Sequence, residues 1–151
     1  MNDDASNDGS VMERVRAAVE SRIERLESVL VLATRQSEAI RRKHFGGLDR
    51  MLTERTAIVD SLVGDAAAFE ALAREVAGTM DDGLLERLGV AERLAAEIDA
   101  RDAESLEIAR SEGERSRIEL EKVTLAGRVG RAYRSGGPDC NEPRRNLADQ
   151  A

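Results

Sequence analysis

The groups that could do chemistry are few and scattered. His44 is the only histidine and Cys140 the only cysteine of the 151-residue chain, and neither has a second ligand at metal-binding spacing. A lone thiol also rules out an intrachain disulfide or a CxxC pair, which fits a reducing compartment. Cys140 stands in a polar stretch with no base beside it to lower its pKa, so it would be a poor nucleophile. Asp81 and Asp82 could exchange protons, but acidic residues there cap a helix more simply. No glycine-rich phosphate loop follows a strand, because no strand pattern exists. We therefore expect no enzyme activity and no catalytic, cofactor-binding or metal-binding residue.

The elements that would position any site are helices. Phe45, Phe69 and Tyr133 are the only aromatic residues, and Ala, Leu, Glu and Arg dominate, a composition that feeds helices and starves strands. The length suits one domain with a core of its own. A net charge of -7 and the shortage of stacking side chains argue against nucleic acid as a partner. The acidic start, MNDDASNDGS, lacks the basic and apolar regions of a signal peptide. The longest aliphatic run, Val29 to Ala33, is far too short to cross a bilayer. A cytoplasmic protein with no membrane insertion is expected.

Along the chain, residues 1–9 are expected to be a disordered tail. Ser10 and Glu13 form a capping-box pattern. Val19, Ile23, Leu26, Leu30, Ala33, Ser37 and Ile40 then recur at alternating spacings of four and three, which predicts a long first helix with a coiled-coil-like seam. Arg41 to His44 precede Phe45-Gly46-Gly47, as cations and glycines do at a helix C-terminus. A second helix is expected over 48–63, burying Leu48, Met51, Leu52, Arg55, Ile58, Val59 and Leu62. Arg55 on that stripe must snorkel or pair with a carboxylate. After Gly64, residues 65–76 have only Phe69, Leu72 and Val76 as bulky anchors, so weak docking is expected. A turn over 78–83 leads to a long last helix from about Leu84, whose charged middle calls for ion pairs such as Glu97 with Arg101. The fold expected is all-α, an elongated antiparallel helical bundle over 10–135 with shorter helices between long first and last ones. Residues 136–151 are expected to be a second disordered tail.

The end of the last helix carries the candidate binding residues. Ile118, Leu125, Val129 and Tyr133 follow one stripe, and Leu120, Val123, Gly127 and Gly130 another, offset around the helix. One stripe suffices to dock on a bundle, so the second faces another helix of this chain or a partner protein. Gly127 and Gly130 make a flat spot where a backbone can approach, and Tyr133 is the kind of residue that anchors an interface.

The order of these features resembles the flagellar type III export chaperones of the FlgN family: a long first helix, then "FGGLDRMLTERTAIVDSL", then a long final helix ending near "GRAY" and a polar tail. The resemblance spans roughly Val15 to Tyr133 and rests on the glycine break before Leu48, on Leu48 and Leu52, on Arg55 and on Leu62. It departs from the family in the middle of the last helix, where "ARSEGERSRIE" has no asparagine. The resemblance implies a helical bundle whose final helix captures the C-terminal helical segment of hook-filament junction (hook-associated) proteins and keeps them unpolymerised for export. The client-facing residues it implies are Ile118, Val123, Leu125, Val129 and Tyr133. Such a surface is expected to be hidden when empty, by self-association as a homo-oligomer or by local disorder. Two other readings fit the same pattern: a structural coiled coil that dimerises through the first helix, and a regulatory helical adaptor with no export client.

Overall fold

The computed structural model describes the backbone of residues 3–135 and the side chains of residues 9–125. Three helices, α1 (Asp3–Arg42), α2 (Leu48–Val76) and α3 (Asp82–Ser135), make up the described chain, and no strand occurs in it. The all-α expectation holds. The chain divides into two compact units, one running to Arg110 and the other beginning at Ser111.

In the first unit three helices run up, down and up, a topology visible in the partners their side chains find. On α1 and α2, Arg25 meets Ser61 and Asp65, and Gln36 meets Arg55, so the numbering runs in opposite directions. On α1 and α3, Arg16 meets Asp81, Glu20 meets Arg87 and Arg41 meets Glu104, so both rise together. Short connections of this kind join antiparallel neighbours.

α1 begins at Asp3, seven residues before the expected start. The 1–9 tail is therefore helical from Asp3, and Ser10 lies inside the helix. Asp3 and Asp4 put negative charge at the positive end of the helix dipole, and that local preference favours the earlier start. The far end closes in a Schellman motif: the His44 N–H donates to the Ala39 carbonyl at 2.9 Å and the Lys43 N–H to that of Ile40 at 3.2 Å. Lys43 holds the left-handed position, φ 57°, which glycine usually fills. The basic cluster from Arg41 to His44 is thus used to end a helix.

Gly47, with φ 81°, begins α2 in a conformation costly to any residue with a Cβ. α2 then runs unbroken through Gly64 to Val76, which corrects the expected separate segment over 65–76. Gly64 costs roughly 1 kcal/mol against alanine in a helix. Docking offsets that cost, since Leu62 and Val76 are buried, Phe69 and Leu72 pack against the core, and Asp65 is held by Arg25 at 2.7 Å. Leu52, expected inside, is exposed.

Asp81 caps α3: its Oδ1 accepts the Leu84 N–H at 2.8 Å and its backbone carbonyl the Leu85 N–H at 3.0 Å. Beyond the cap, Leu84, Ala91 and Ile98 point inward. The core gathers Val15, Val19 and Ile23 of α1, Val76 of α2, and Leu84 and Ala91 of α3. α1 lies against two helices, so it buries a wider band than a heptad seam: Val29, Leu32 and Gln36 are buried beside Val19, Ile23, Ala33 and Ser37.

Beyond the aliphatic core a polar layer spans all three helices. Arg55 of α2 gives a forked pair of bonds to Asp102 of α3, one of them 2.7 Å, and donates to Gln36 Oε1 of α1 at 2.9 Å. The Arg55 side chain is 19% exposed, and its bonds to Asp102, ahead of the opposing effect of burial, push its pKa further up. This is the carboxylate partner the sequence called for. The residue after Gln36, Ser37, is also buried, and its hydroxyl has no hydrogen-bond partner.

Two outcomes follow from this packing. Ser37→Ala removes an unsatisfied hydroxyl and adds a better helix former, so chemical denaturation should show a gain of about 1 kcal/mol. Acid should weaken the α1–α3 contact. The Arg87 hydrogen bonds hold the Glu20 carboxyl below its usual range, and the Leu84 N–H, ahead of Arg16, does the same for Asp81. Depressed carboxyl pKa values give stability that is fully present above the unfolded-state values of about 4 and is lost as pH falls through the folded ones. The urea midpoint should therefore fall below about pH 4, and Asp81→Asn, which keeps a cap, should flatten that fall.

Candidate functional site

Between Glu112 and Glu121, α3 carries ion pairs along its own axis that support the helix. Arg115 pairs with Glu112 at 3.6 Å, and Arg117 reaches both Glu114 at 2.6 Å and Glu121 at 3.3 Å. These are spacings of three and four, the pairs that face each other on a helix surface and that stabilise it by a few tenths of a kcal/mol each. Nearer the core, Arg101 pairs with Glu104 at 3.4 Å, the acid one turn after it instead of the expected Glu97.

Among and beyond those charges lie apolar side chains that are exposed. Ile118 is 41% exposed, Leu120 66%, Val123 68% and Leu125 63%. Seven residues separate Ile118 from Leu125, which puts them on one stripe, while Leu120 and Val123 stand about 140–200° round the helix from Ile118. Arg117 and its two glutamates lie on one of the arcs between the stripes. Four large aliphatic residues exposed within eight positions form a concentration of apolar surface that a solitary surface helix has no reason to carry.

The structure thus brings Ile118, Leu120, Val123 and Leu125 to the surface of one helical segment, as two stripes. The remaining sequence candidates, Gly127, Val129, Gly130 and Tyr133, sit on the same helix, which continues through both glycines to Ser135. Their side chains lie outside the described residues, as do Cys140 and the 136–151 tail. Among the described residues no group of acidic, histidine or cysteine side chains is placed to hold a metal, and no helix is long and apolar enough to cross a membrane.

Sequence reasoning missed one feature of the first unit. Arg14, Arg22 and Arg25 of α1 line a cleft with Asp65, Phe69 and Leu72 of α2. The signal was present: spacings of eight and three put these arginines on one side of α1, next to its apolar band. What stands opposite them depends on the α1–α2 pairing, which no local pattern specifies.

No protein-family model, curated protein or solved structure matches the chain.

Exposed side chains contribute little to the free fold. Leu120→Ser and Val123→Ser should each shift stability by no more than about 0.5 kcal/mol. A thermal or urea melt in which either change costs several times that would mean that the segment is packed and has no free face.

Proposed function

We propose that the chain is a cytoplasmic export chaperone similar to the FlgN family, which binds hook-filament junction proteins through the last part of α3 and keeps them unpolymerised until export. The observation that supports this most directly is the exposure of Ile118, Leu120, Val123 and Leu125 on a segment already helical. An amphipathic client helix docks by laying apolar residues spaced three, four and seven apart into such a surface. The rest of the proposal rests on the resemblance carried by the stretch from Phe45 to Leu62 and by the order of the helices.

The acidic balance of the chain, -7 overall, suits a carrier that must keep an aggregation-prone segment in solution. The short ion pairs flanking the stripes offer a polar rim around an apolar centre, as protein interfaces use. Arg55, which the resemblance includes, is a structural residue in this reading, since both its bonding partners lie within the bundle.

Hydrogen exchange across Ile118 to Tyr133 tests the proposal, measured with and without the C-terminal helical segments of hook-filament junction proteins. Exchange should be fast in the free chain and slow by at least about tenfold when the client segment is added. Slow exchange in both conditions, together with a sedimentation mass of two chains at all salt concentrations, would favour a permanent coiled-coil dimer instead.

A further inference from the structure

The cleft between α1 and α2 is chemically unlike the α3 surface. It encloses about 300 Å3 and is lined by Arg14, Arg22, Arg25 and Asp65, with Ala18, Phe69 and Leu72 among its apolar walls. Three arginines and one aspartate line it, in a protein whose overall charge is negative. Arg25 is engaged within the bundle: it donates to the Ser21 carbonyl at 3.2 Å, to Ser61 Oγ at 3.0 Å and to Asp65 at 2.7 Å. That also occupies Asp65.

The other two arginines are differently placed. Arg14 makes no ion pair among the described residues. The guanidinium of Arg22 lies over the ring of Phe69, 5.0 Å from its centroid, a position in which the ring face attracts the cation but offers no hydrogen-bond acceptor. Its Nη1 is shut off from solvent and has no partner. A guanidinium nitrogen buried without an acceptor is costly; Arg22 lines this cleft, and a carboxylate that draws its guanidinium off the ring toward the cleft would supply the missing acceptor.

We infer that this cleft is a binding site for a carboxylate carried on a short apolar body, with Arg22 as the anchoring fork, Arg14 as a second cation at the site, and Phe69 and Leu72 as the apolar wall. A planar carboxylate matches the guanidinium fork, which binds it through two parallel N–H···O bonds. Asp65 selects for a single negative charge, because a dianion would meet its carboxylate across the same cleft. The volume stands at the small end of ligand pockets, which suits one acidic side chain of a polypeptide or a small free organic acid. The site is independent of the α3 surface and of the export proposal.

Titration of the full chain, followed by NMR of backbone amides and arginine Nε groups, tests the inference. The probes are 3-phenylpropionate, its neutral amide, and the blocked peptide acetyl-Leu-Glu-Leu-amide. The expected result is that an acid probe, and not the neutral amide, shifts the Arg22 Nε signal and amides around Ser21 and Phe69, with a dissociation constant of about 1 mM or tighter. Arg22→Met, which replaces an unpaired cation by an apolar side chain and so keeps the fold, should weaken that binding at least tenfold. Arg14→Gln, a surface change, should weaken it a few-fold. Tighter binding of the peptide assigns the site to a polypeptide side chain, and tighter binding of the free acid to a small metabolite. Equal shifts with acid and amide would overturn the inference, as would unchanged binding in Arg22→Met or the absence of any shift at Arg22. So would an Arg22 signal that responds to Glu92→Gln and not to the acids, because Glu92 lines a second cleft with Arg22 and would then be its partner. Client binding at Ile118 to Leu125 should be unaltered in Arg22→Met, so the two sites fail separately.

Discussion

The contact on which the bundle's register depends is the one made by Arg55. Aliphatic side chains on three helices can slide by a turn and still find apolar neighbours, because dispersion and burial have little direction. A guanidinium fork has direction. Bonded to Asp102 on α3 and to Gln36 on α1, it leaves α2 one position along its axis at which all three groups are satisfied. Shifting α2 by one turn would leave a half-buried cation without its acceptors. Buried polar groups of this kind specify register in some helical assemblies at a cost in stability. With the register set, Arg25 reaches Asp65, and Phe69 arrives beneath Arg22.

Much of this could be read from local chemistry. The all-α class, the Asp81 cap, the end of α1 near Phe45 and the need of Arg55 for a carboxylate all follow from residue types within a turn or two of each other. What could not be read depends on partners far away in sequence. α2 continues through Gly64 because Phe69, Leu72 and Val76 join the core shared with α1 and α3 and Leu62 is buried, and a glycine's cost of roughly 1 kcal/mol is small against several buried side chains. Gln36 is buried because Arg55 comes to meet it. The start at Asp3 is a different kind of miss, in which the helix-dipole preference of two aspartates outweighed a capping pattern at Ser10. In the candidate binding segment the sequence revealed two apolar stripes but not whether this chain covers them. Among the described residues, Ile118, Leu120, Val123 and Leu125 are exposed.

The two units use charge in contrasting ways. Within the first, arginines reach across helices: Arg16 to Asp81, Arg41 to Glu104 and Arg87 to Glu20, the last through two bonds of 2.6 and 2.7 Å. Such exposed pairs add little to stability individually, but their alternating signs fix which helix faces which and disfavour a bundle wound the other way. In the second unit the described pairs stay on one helix. They hold a backbone conformation and leave the apolar positions unengaged. A single chain rich in arginine and glutamate thus achieves tertiary specificity in one part and local helicity in another, through spacing alone.

The Glu114–Arg117–Glu121 chain has a thermodynamic consequence for whatever meets the stripes beside it. A segment that must fold as it binds gives up conformational entropy of about 1–2 kcal/mol for every residue it orders, and that loss is subtracted from the affinity. Here the backbone is already helical before the encounter, so less ordering is left for binding to impose on this side. The receiving segment is helical between its local openings, so the larger share of the entropic penalty of association falls on the incoming partner.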